Sequence, residues 1–287
     1  MFWVLFALGS AFFAGITAVL AKIGMQTVPS NLATALRTVV VLAFSWLIVF
    51  LSGSQVQLSE ISGNTLLFLV LSGLSTGASW LCYFRALKLG DVNKVAPIDK
   101  SSTVLTILLA LIFLGEPVSF PQVLGILGIG IGTLLMITKK EGETSKPHSK
   151  QWLVFALLSA VFASLTSIFG KIGIENIDSN LGTAIRTIVV LAMAWILVFI
   201  TGEQKKIPSI SRKSWVFLIL SGLTTGLSWL CYYRALQDGP ASVVVPIDKL
   251  SILVTILFSG LILKETLSKK AIVGLILVLA GTGAMLL

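Results

Sequence analysis

The sequence predicts an all-α membrane protein with ten transmembrane helices, arranged as a 5+5 inverted-topology repeat. Three observations lead to this fold class. Of the 287 residues, 56% are apolar and only 11% are charged, whereas soluble domains carry about a quarter charged residues. The charged residues cluster at the ends of long apolar runs. The chain also matches itself without a gap when it is shifted by 149 residues.

The internal repeat is the strongest of these signals. Between residues 1–50 and 150–199, 26 positions are identical. The motif PIDK at 97–100 recurs at 246–249. Self-similarity of this extent indicates a duplicated unit. The chain therefore divides into a first five-helix repeat (1–138), a charged cytoplasmic linker (139–150) and a second five-helix repeat (151–287).

Each repeat contains five apolar stretches of the length that crosses a bilayer, which is about 20 residues. Because five is odd, the second repeat enters the membrane from the opposite side. Such inverted repeats are typical of secondary transporters, and a duplicated scaffold without a transport role is the alternative. The predicted helices, in chain order, are 2–22, 31–51, 64–86, 95–114, 119–138, 151–171, 180–200, 213–235, 244–263 and 268–287.

The basic residues predict the orientation of the chain and explain its net charge of +9. Under the ten-helix layout, fifteen lysines and arginines fall in loops on one side of the membrane, and only Lys171 and Arg234 fall on the other. Basic loops stay in the cytoplasm, so we expect both termini outside. We expect the cell membrane, inner or plasma, as the location. No basic stripe is interleaved with exposed aromatic residues, so no nucleic-acid partner is expected.

Small hydroxyl residues and aromatic residues follow one face of the third predicted helix, and the eighth helix repeats the pattern. One interpretation is interhelical packing, because helices in lipid associate through small residues. The other is a polar, partly aromatic wall of a small-molecule site. We favour the second interpretation and add one asparagine at the start of each repeat's second helix. The residues predicted to contact substrate are Trp80, Ser79, Tyr83, Asn31, Trp229, Ser228, Tyr232 and Asn180.

Charged residues inside the predicted helices form a second candidate site. Arg37 lies ~9 Å into helix 2 and Asp99 ~6 Å into helix 4, and the second repeat carries Arg186 and Asp248 at the same positions. Ionisable residues inside a membrane are functional candidates by default. A static salt bridge, or a carboxylate at a helix start, is the alternative. The predicted inner gate consists of Arg37, Asp99 and Lys100, and the predicted outer gate of Arg186, Asp248 and Lys249, with each aspartate paired to its two basic neighbours.

Other polar and small residues are expected to be structural. Cys82 and Cys231 stand alone in apolar runs, and His148 lies in the linker, so no metal spacing is present. Without a metal set or a nucleophile–base pair we expect no enzymatic activity and no cofactor. The expected partners are a small-molecule substrate and membrane lipids, with the chain a monomer or homodimer. Residues expected to cap the following helix or to permit close helix packing are Glu116, Glu265, Gly125, Gly128, Gly130 and Gly132.

Four features recur in both repeats: a lysine that ends helix 1, an arginine early in helix 2, Ser-Gly-Leu in helix 3 (72–74 and 221–223), and a glutamate that closes helix 4. Together they resemble the EamA-type ten-helix members of the drug/metabolite transporter superfamily. The resemblance implies a secondary transporter that exports more often than it imports. Because each gate has more basic than acidic residues, we expect an anionic or zwitterionic substrate, such as an amino acid. A carrier-lipid flippase is the alternative.

Overall fold

The computed structural model describes residues 2–89, 95, 98–99, 101–136, 151–258 and 269–287, and it is helical without strands over these ranges. Two short 3₁₀ helices, Ser54–Glu60 and Glu203–Ser209, follow α2 and α7. The α-helices are α1 (Phe2–Gly24), α2 (Ser30–Ser52), α3 (Gly63–Leu89), α4 (Ser102–Phe113), α5 (Phe120–Met136), α6 (Gln151–Gly173), α7 (Ser179–Thr201), α8 (Arg212–Asp238), α9 (Ala241–Lys249), α10 (Ser251–Phe258) and α11 (Lys269–Ala284).

Most of these helices are suited to a bilayer. Large apolar side chains such as Phe50 and Ile200 are 60% and 73% exposed, which fits helices that face lipid. Three shorter apolar helices are Ser102–Phe113, Phe120–Leu135 and Lys270–Ala284. Among the described residues, the helical segments long and apolar enough to span a membrane are Phe2–Gly24, Ser30–Ser52, Gly63–Tyr83, Gln151–Gly173, Ser179–Thr201, Arg212–Asp238 and Ala241–Phe258.

The helices form two compact units, and each unit contains segments of both sequence repeats. The first unit consists of Met1–Leu74, Phe169–Gly239 and Asp248–Glu265. The second unit consists of Ser75–Ile168, Pro240–Ile247 and Thr266–Leu287. The linker at 139–150 lies outside the described residues.

In the first unit, α1 packs antiparallel to α8. The Ser10 Oγ lies 3.2 Å from the Ser228 Oγ, and seven residues further along α1 the Thr17 hydroxyl donates to the Thr224 hydroxyl at 2.7 Å. The residue number on α8 falls as that on α1 rises, so the two helices run in opposite directions. Hydroxyl pairs therefore join the first helix of one repeat to the third helix of the other.

The equivalent helices α2 and α7 also run in opposite directions within the first unit. The Glu203 carboxylate, just after α7, accepts hydrogen bonds from the Asn31 side chain (2.8 Å) and the Leu32 backbone N–H (3.0 Å) at the start of α2. The Gln57 side chain, just after α2, accepts from the Asp178 backbone N–H (2.7 Å) before α7. The end of each helix therefore lies at the beginning of the other.

Glycines end both of these helices. Gly53 after α2 has φ 74°, and Gly202 after α7 has φ 70°. The left-handed conformation is accessible to glycine without steric cost and satisfies carbonyls of the last turn. The backbone N–H groups of Gly53 and Gly202 donate to the carbonyls of Phe50 and Phe199. These turns place the two 3₁₀ segments that carry Gln57 and Glu203.

Removing the Glu203 carboxylate is expected to destabilise the first unit. The start of α2 would lose two acceptors, and loss of a helix cap costs about 0.5–2 kcal/mol. We expect the melting temperature of detergent-solubilised Glu203→Ala to fall by about 1–8 °C, at about 2–4 °C per kcal/mol. Lys205→Ala, an exposed neighbour, is the control and should melt like the parent. Equal melting temperatures for the two variants would show that this contact does not stabilise the fold.

In the second unit, Glu116 caps a different helix from the predicted one. Its carboxylate accepts hydrogen bonds from the backbone N–H groups of Ala241 (2.6 Å) and Ser242 (2.8 Å), the first residues of α9. The sequence predicted that Glu116 would cap the helix that follows it. The carboxylate satisfies N–H groups of the first turn and favours the positive helix end, and α9 begins at Ala241, three residues before the predicted position 244. The equivalent Glu265 lies outside the described residues.

The glycines of α5 pack closely against α11 in the second unit. A Cβ on Gly125 would lie 2.6 Å from the Gly281 carbonyl oxygen, and a Cβ on Gly132 would lie 2.6 Å from the Gly274 carbonyl oxygen. On Gly128 the nearest atom would be 3.4 Å away. The geometry confirms the close-packing prediction at Gly125 and Gly132, where backbone atoms leave no room for a side chain.

Alanine at these positions is expected to separate tight from loose packing. Gly125→Ala forces its methyl group against a carbonyl oxygen, and overpacking costs about 1–3 kcal/mol. Gly128→Ala, one turn away on the same helix, meets only an ordinary van der Waals contact and serves as the control. Size-exclusion profiles after stepwise heating should show earlier loss of the monodisperse peak for Gly125→Ala. If Gly125→Ala kept its monodisperse peak to a higher temperature than Gly128→Ala, the close packing of Gly125 against α11 would be contradicted.

Candidate functional site

Arg186 of α7 is the centre of a buried cluster in the first unit. Its side chain is 2% exposed. The guanidinium carbon lies 4.5 Å from the centroid of the Tyr233 ring and 5.2 Å from that of Trp229, and Nε donates to the Ser72 hydroxyl at 3.2 Å. Aromatic faces stabilise a desolvated cation by about 2 kcal/mol or more. Arg186 is therefore a packed cation whose surroundings compensate for its burial.

Arg37, the equivalent residue of the first repeat, is held by fewer contacts. One of its terminal nitrogens, Nη2, donates to the Thr225 hydroxyl at 2.7 Å. Its Nε is buried and has no hydrogen-bond partner among the described residues. The Ser221 hydroxyl, one turn earlier on α8, is also buried without a partner in the described part of the chain. Because leaving such groups unsatisfied is costly, this place is suited to an incoming hydrogen-bond acceptor.

Both arginines contact the same face of α8. Thr225, Trp229 and Tyr233 are spaced four residues apart, so they lie in one row about 12 Å long. Arg37 contacts the first member of this row and Arg186 contacts the other two. Two cations from different repeats thus lie along one helix face, which creates a positive potential within the apolar first unit.

Asp248 lies near the end of α9 and belongs to the first unit. Its Oδ1 accepts a hydrogen bond from the Ser10 hydroxyl at 2.6 Å. The Lys249 Nζ lies 4.0 Å from its Oδ2, the outer limit of an ion pair, with the lysine side chain 44% exposed. A pair so long and so exposed contributes little. The structure therefore brings the predicted residues Asp248 and Lys249 together but gives Asp248 a hydroxyl as its close partner.

Asp99, the equivalent of Asp248, belongs to the second unit. Its Oδ1 accepts a hydrogen bond from the Ser159 hydroxyl at 2.8 Å. Of its two predicted partners, Lys100 lies outside the described residues. Arg37 belongs to the first unit, where it donates to Thr225. A serine thus donates a hydrogen bond to the aspartate in each unit.

The predicted serines of α3 and α8 take part in helix packing. Ser228 is 5% exposed and donates to the Ser10 carbonyl oxygen at 3.1 Å. Ser79 is 7% exposed and donates to the Ser159 carbonyl oxygen at 3.1 Å. Interhelical packing, one of the two interpretations open from the sequence, accounts for these contacts. A role for Ser79 and Ser228 in substrate binding stays a prediction.

The predicted aromatic residues are half-buried in their helices. Trp229 lies beside the Arg186 guanidinium. Tyr232 packs edge-to-face on Tyr233, with ring centroids 5.3 Å apart. Trp80 and Tyr83 lie on α3 in the second unit. Among the predicted substrate-contacting aromatics, Trp229 is thus in direct contact with a predicted gate arginine.

The predicted asparagines both lie at helix starts. The Asn31 side chain donates to Glu203, as described above. The Asn180 backbone N–H donates to the Asp178 carboxylate at 2.9 Å, which caps α7. Capping therefore explains both contacts, and a substrate contact at these positions stays a prediction.

Three residues of these clusters were not predicted as site residues: Ser10, Ser159 and Tyr233. Ser10 and Ser159 are identical residues at equivalent positions of two apolar helices, and this identity was a signal that could have identified them. Tyr233 has Phe84 at its equivalent position, so it is not among the residues that the two repeats share. Its hydroxyl is particular to the second repeat, and its ring lies beside Arg186.

Comparison with known proteins identifies the chain. Residues 1–138 and 150–287 match the EamA-like transporter family. The chain belongs to this family. The resemblance predicted from its motifs is confirmed, and the protein is an integral membrane transporter.

Relatives of this EamA-like transporter are about half its length. The "Uncharacterized transporter in cobO 3'region" of Sinorhizobium sp is 51% identical over 134 residues, which are 47% of this chain and 95% of that protein. An uncharacterized protein of Methanocaldococcus jannaschii is 32% identical over 130 residues, which are 45% of this chain and 91% of its own. A crystal structure with 18% identity and a TM-score of 0.81 covers 98% of this chain and 95% of its own, and it shows the fold alone.

Proposed function

We propose that this EamA-like protein is a secondary transporter of a small anionic or zwitterionic metabolite, such as an amino acid. The observation that carries the proposal is the placement of Arg37 and Arg186 along one face of α8. Guanidinium groups bind carboxylates through strong, charge-assisted hydrogen bonds. Membership of a transporter family supports a site that holds its ligand and then releases it.

The two arginines have different roles in this proposal. Arg186 already has two aromatic rings and a hydroxyl around it. It therefore contributes positive electrostatic potential and holds α7 against α8 and α3. Arg37 has a buried Nε without a partner among the described residues, and the unpaired Ser221 hydroxyl lies on the helix it contacts. Arg37 is therefore assigned the substrate carboxylate, and Trp229 and Tyr232 are assigned the apolar part of the substrate.

For the architecture we propose ten transmembrane helices in a 5+5 inverted-topology repeat, with repeats at 1–138 and 151–287 and a cytoplasmic linker at 139–150. The opposite directions of α2 and α7 support it, because equivalent helices of inverted repeats must run in opposite directions. The loop charges favour both termini outside the cell membrane. Alternating access and export complete the proposal.

Counterflow in proteoliposomes tests this function. Vesicles containing the purified full chain are loaded with one unlabelled metabolite and exposed to traces of labelled amino acids, carboxylates or organic cations. We expect transient accumulation of an anionic or zwitterionic compound and none of the cations. Accumulation of cations alone, or of no compound in the panel, would contradict the proposed function. Protein-free vesicles are the control for leakage.

A further inference from the structure

A short hydrogen-bond chain ends at Asp248 in the first unit. The Ser10 Oγ is 2.6 Å from the Asp248 carboxylate and 3.2 Å from the Ser228 Oγ. The Ser228 hydroxyl also reaches the Ser10 carbonyl oxygen at 3.1 Å. Ser10 is 0% and Ser228 5% exposed. The chain thus connects α8, α1 and α9 through hydroxyl groups buried among apolar residues.

The same chain occurs at the equivalent positions of the second unit. The Ser159 Oγ is 2.8 Å from the Asp99 carboxylate and 3.3 Å from the Ser79 Oγ. The Ser79 hydroxyl reaches the Ser159 carbonyl oxygen at 3.1 Å, and the Ser159 hydroxyl reaches the Ser79 carbonyl oxygen at 3.2 Å. Ser159 is 0% exposed. Two separate units therefore hold an aspartate in the same way.

Each chain can accommodate either protonation state of its aspartate. With the carboxylate ionised, Ser10 donates to Asp248 and Ser228 donates to the Ser10 carbonyl. With the carboxyl group protonated, Asp248 donates to the Ser10 Oγ, Ser10 rotates to donate to the Ser228 Oγ, and Ser228 keeps its carbonyl acceptor. Hydroxyl hydrogens rotate to suit their partners, so no donor is left without an acceptor in either state.

In the second unit the reversal needs only one hydroxyl to turn. When Asp99 donates to the Ser159 Oγ, the Ser159 hydroxyl turns to the Ser79 carbonyl oxygen that already lies within reach. The Ser79 hydroxyl keeps the Ser159 carbonyl as its acceptor. A static salt bridge would not require these spare acceptors. Intramembrane carboxylates with such partners mark proton or ion pathways.

We infer that Asp99 and Asp248, with their serine chains, are proton-binding sites that couple transport to the proton gradient. Each aspartate takes one proton from water on the side to which it is open, forming a neutral carboxyl group, and returns it to water on the other side. The inference rests on the proposed function for its purpose. Proton binding itself requires no substrate, so it is measured independently of transport.

Charged and titratable groups lie near Asp248. Lys249 lies 4.0 Å from Asp248, and from α8 the Tyr233 hydroxyl is within electrostatic range of both Asp248 and Arg186. From α1, Asp248 meets the neutral Ser10.

Asp99 has a comparable set of neighbours. It acts electrostatically on Tyr83 of α3 and meets the neutral Ser159 of α6. Lys100, the next residue in the chain, lies outside the described residues. Each aspartate therefore accepts a hydrogen bond from a serine and has a tyrosine within electrostatic range.

Infrared difference spectroscopy of the full chain in substrate-free proteoliposomes tests proton binding. All carboxyl groups contribute to the change in carboxylic-acid C=O absorption between low and high pH, and the chain has 12 Asp and Glu residues, so the difference spectrum of each variant is subtracted from that of the parent. Asp99→Asn and Asp248→Asn should each lose one band of a buried carboxyl group, and the double variant should lose both. Asp238→Asn, at an exposed ion pair with Arg234, is the control and should keep both of these bands. A double variant that keeps both bands would overturn the inference.

Conservative serine variants test the hydrogen-bond chains without removing a charge. Ser10→Ala and Ser159→Ala should each shift one carboxyl band to higher frequency, because the protonated carboxyl group loses its acceptor. Unmoved bands in both variants would overturn the role of the chains. These variants keep the test decisive if an aspartate variant fails to fold.

Transport by the parent protein separates this inference from the proposed function. A compound that shows counterflow when the pH is equal on both sides of the membrane should accumulate on one side when a pH gradient is imposed. For each coupled proton, the ratio of its concentrations across the membrane should change about tenfold per pH unit. Counterflow without any effect of the gradient would overturn the coupling and leave the transporter function standing. Absence of counterflow together with titrating carboxyl bands would contradict the function but not the proton sites.

Discussion

Replacing Arg186 by alanine is expected to lower the melting temperature of the solubilised protein by about 6–20 °C. The variant loses the cation–π contacts to Tyr233 and Trp229 and the hydrogen bond to Ser72. It also leaves a cavity where a fully buried side chain was packed. Truncation of a large core side chain costs about 3–5 kcal/mol. Each kcal/mol lowers the melting temperature by about 2–4 °C.

Arg37→Ala is the matched control for this loss of stability. The two arginines occupy equivalent positions of the two repeats. Among the described residues, however, Arg37 forms one hydrogen bond, to the Thr225 hydroxyl. We expect its melting temperature to fall by about 2–6 °C, for about 1–1.5 kcal/mol. Thermal unfolding followed by intrinsic tryptophan fluorescence compares the two. If both variants melted at the same temperature, the assignment of Arg186 as the packed cation would be wrong.

Replacing Arg37 by glutamine is expected to reduce counterflow of an anionic substrate about 10- to 150-fold. A hydrogen bond to a charged group contributes about 1.5–3 kcal/mol, and each 1.4 kcal/mol is tenfold. Glutamine keeps a donor for Thr225 but removes the charge that binds the carboxylate. The initial rate of counterflow in proteoliposomes, at equal amounts of folded protein, measures the effect.

Arg37→Lys distinguishes charge from geometry in the same assay. Lysine keeps the charge but presents it as a point rather than as a planar fork. We expect its counterflow to lie between those of the parent and Arg37→Gln. Undiminished transport by Arg37→Gln would contradict the assignment of Arg37 as the carboxylate ligand and would move the substrate to another part of the protein.

The helices and their repeat could be predicted because the length of an apolar segment and the similarity between two segments are visible in the sequence without any tertiary contact. For α1, α2, α3, α6, α7 and α8 the bounds agree with the prediction to within three residues. The ninth helix begins at Ala241, three residues before the predicted position 244, and a carboxylate at Glu116, 125 residues earlier, supplies its first acceptors. Such a contact cannot be recognised from the residues around Pro246 alone.

The candidate site could be predicted in its residue types but not in its pairings. Symmetry between the repeats indicated Arg37 and Arg186 as equivalent charges. In the structure their contacts differ, because Arg186 lies over the rings of Trp229 and Tyr233 whereas Arg37 donates to the Thr225 hydroxyl. Repeat symmetry also predicted ion pairs for the aspartates. Lys249 lies 4.0 Å from Asp248, and Lys100 lies outside the described residues. The serines that donate to the two aspartates are distant in the sequence, and the contacts between helices reveal them.

Opposite orientation of the two repeats underlies the site on α8, and the sidedness of the two 3₁₀ segments tests it directly. Single cysteines replace the exposed residues Ser59 and Ser209 in a chain whose native cysteines, Cys82 and Cys231, are changed to alanine. A membrane-impermeant maleimide is applied to intact and to permeabilised cells. We predict that Ser59→Cys reacts in intact cells and that Ser209→Cys reacts only after permeabilisation. Reaction of both cysteines from the same side of the membrane would contradict the inverted repeat.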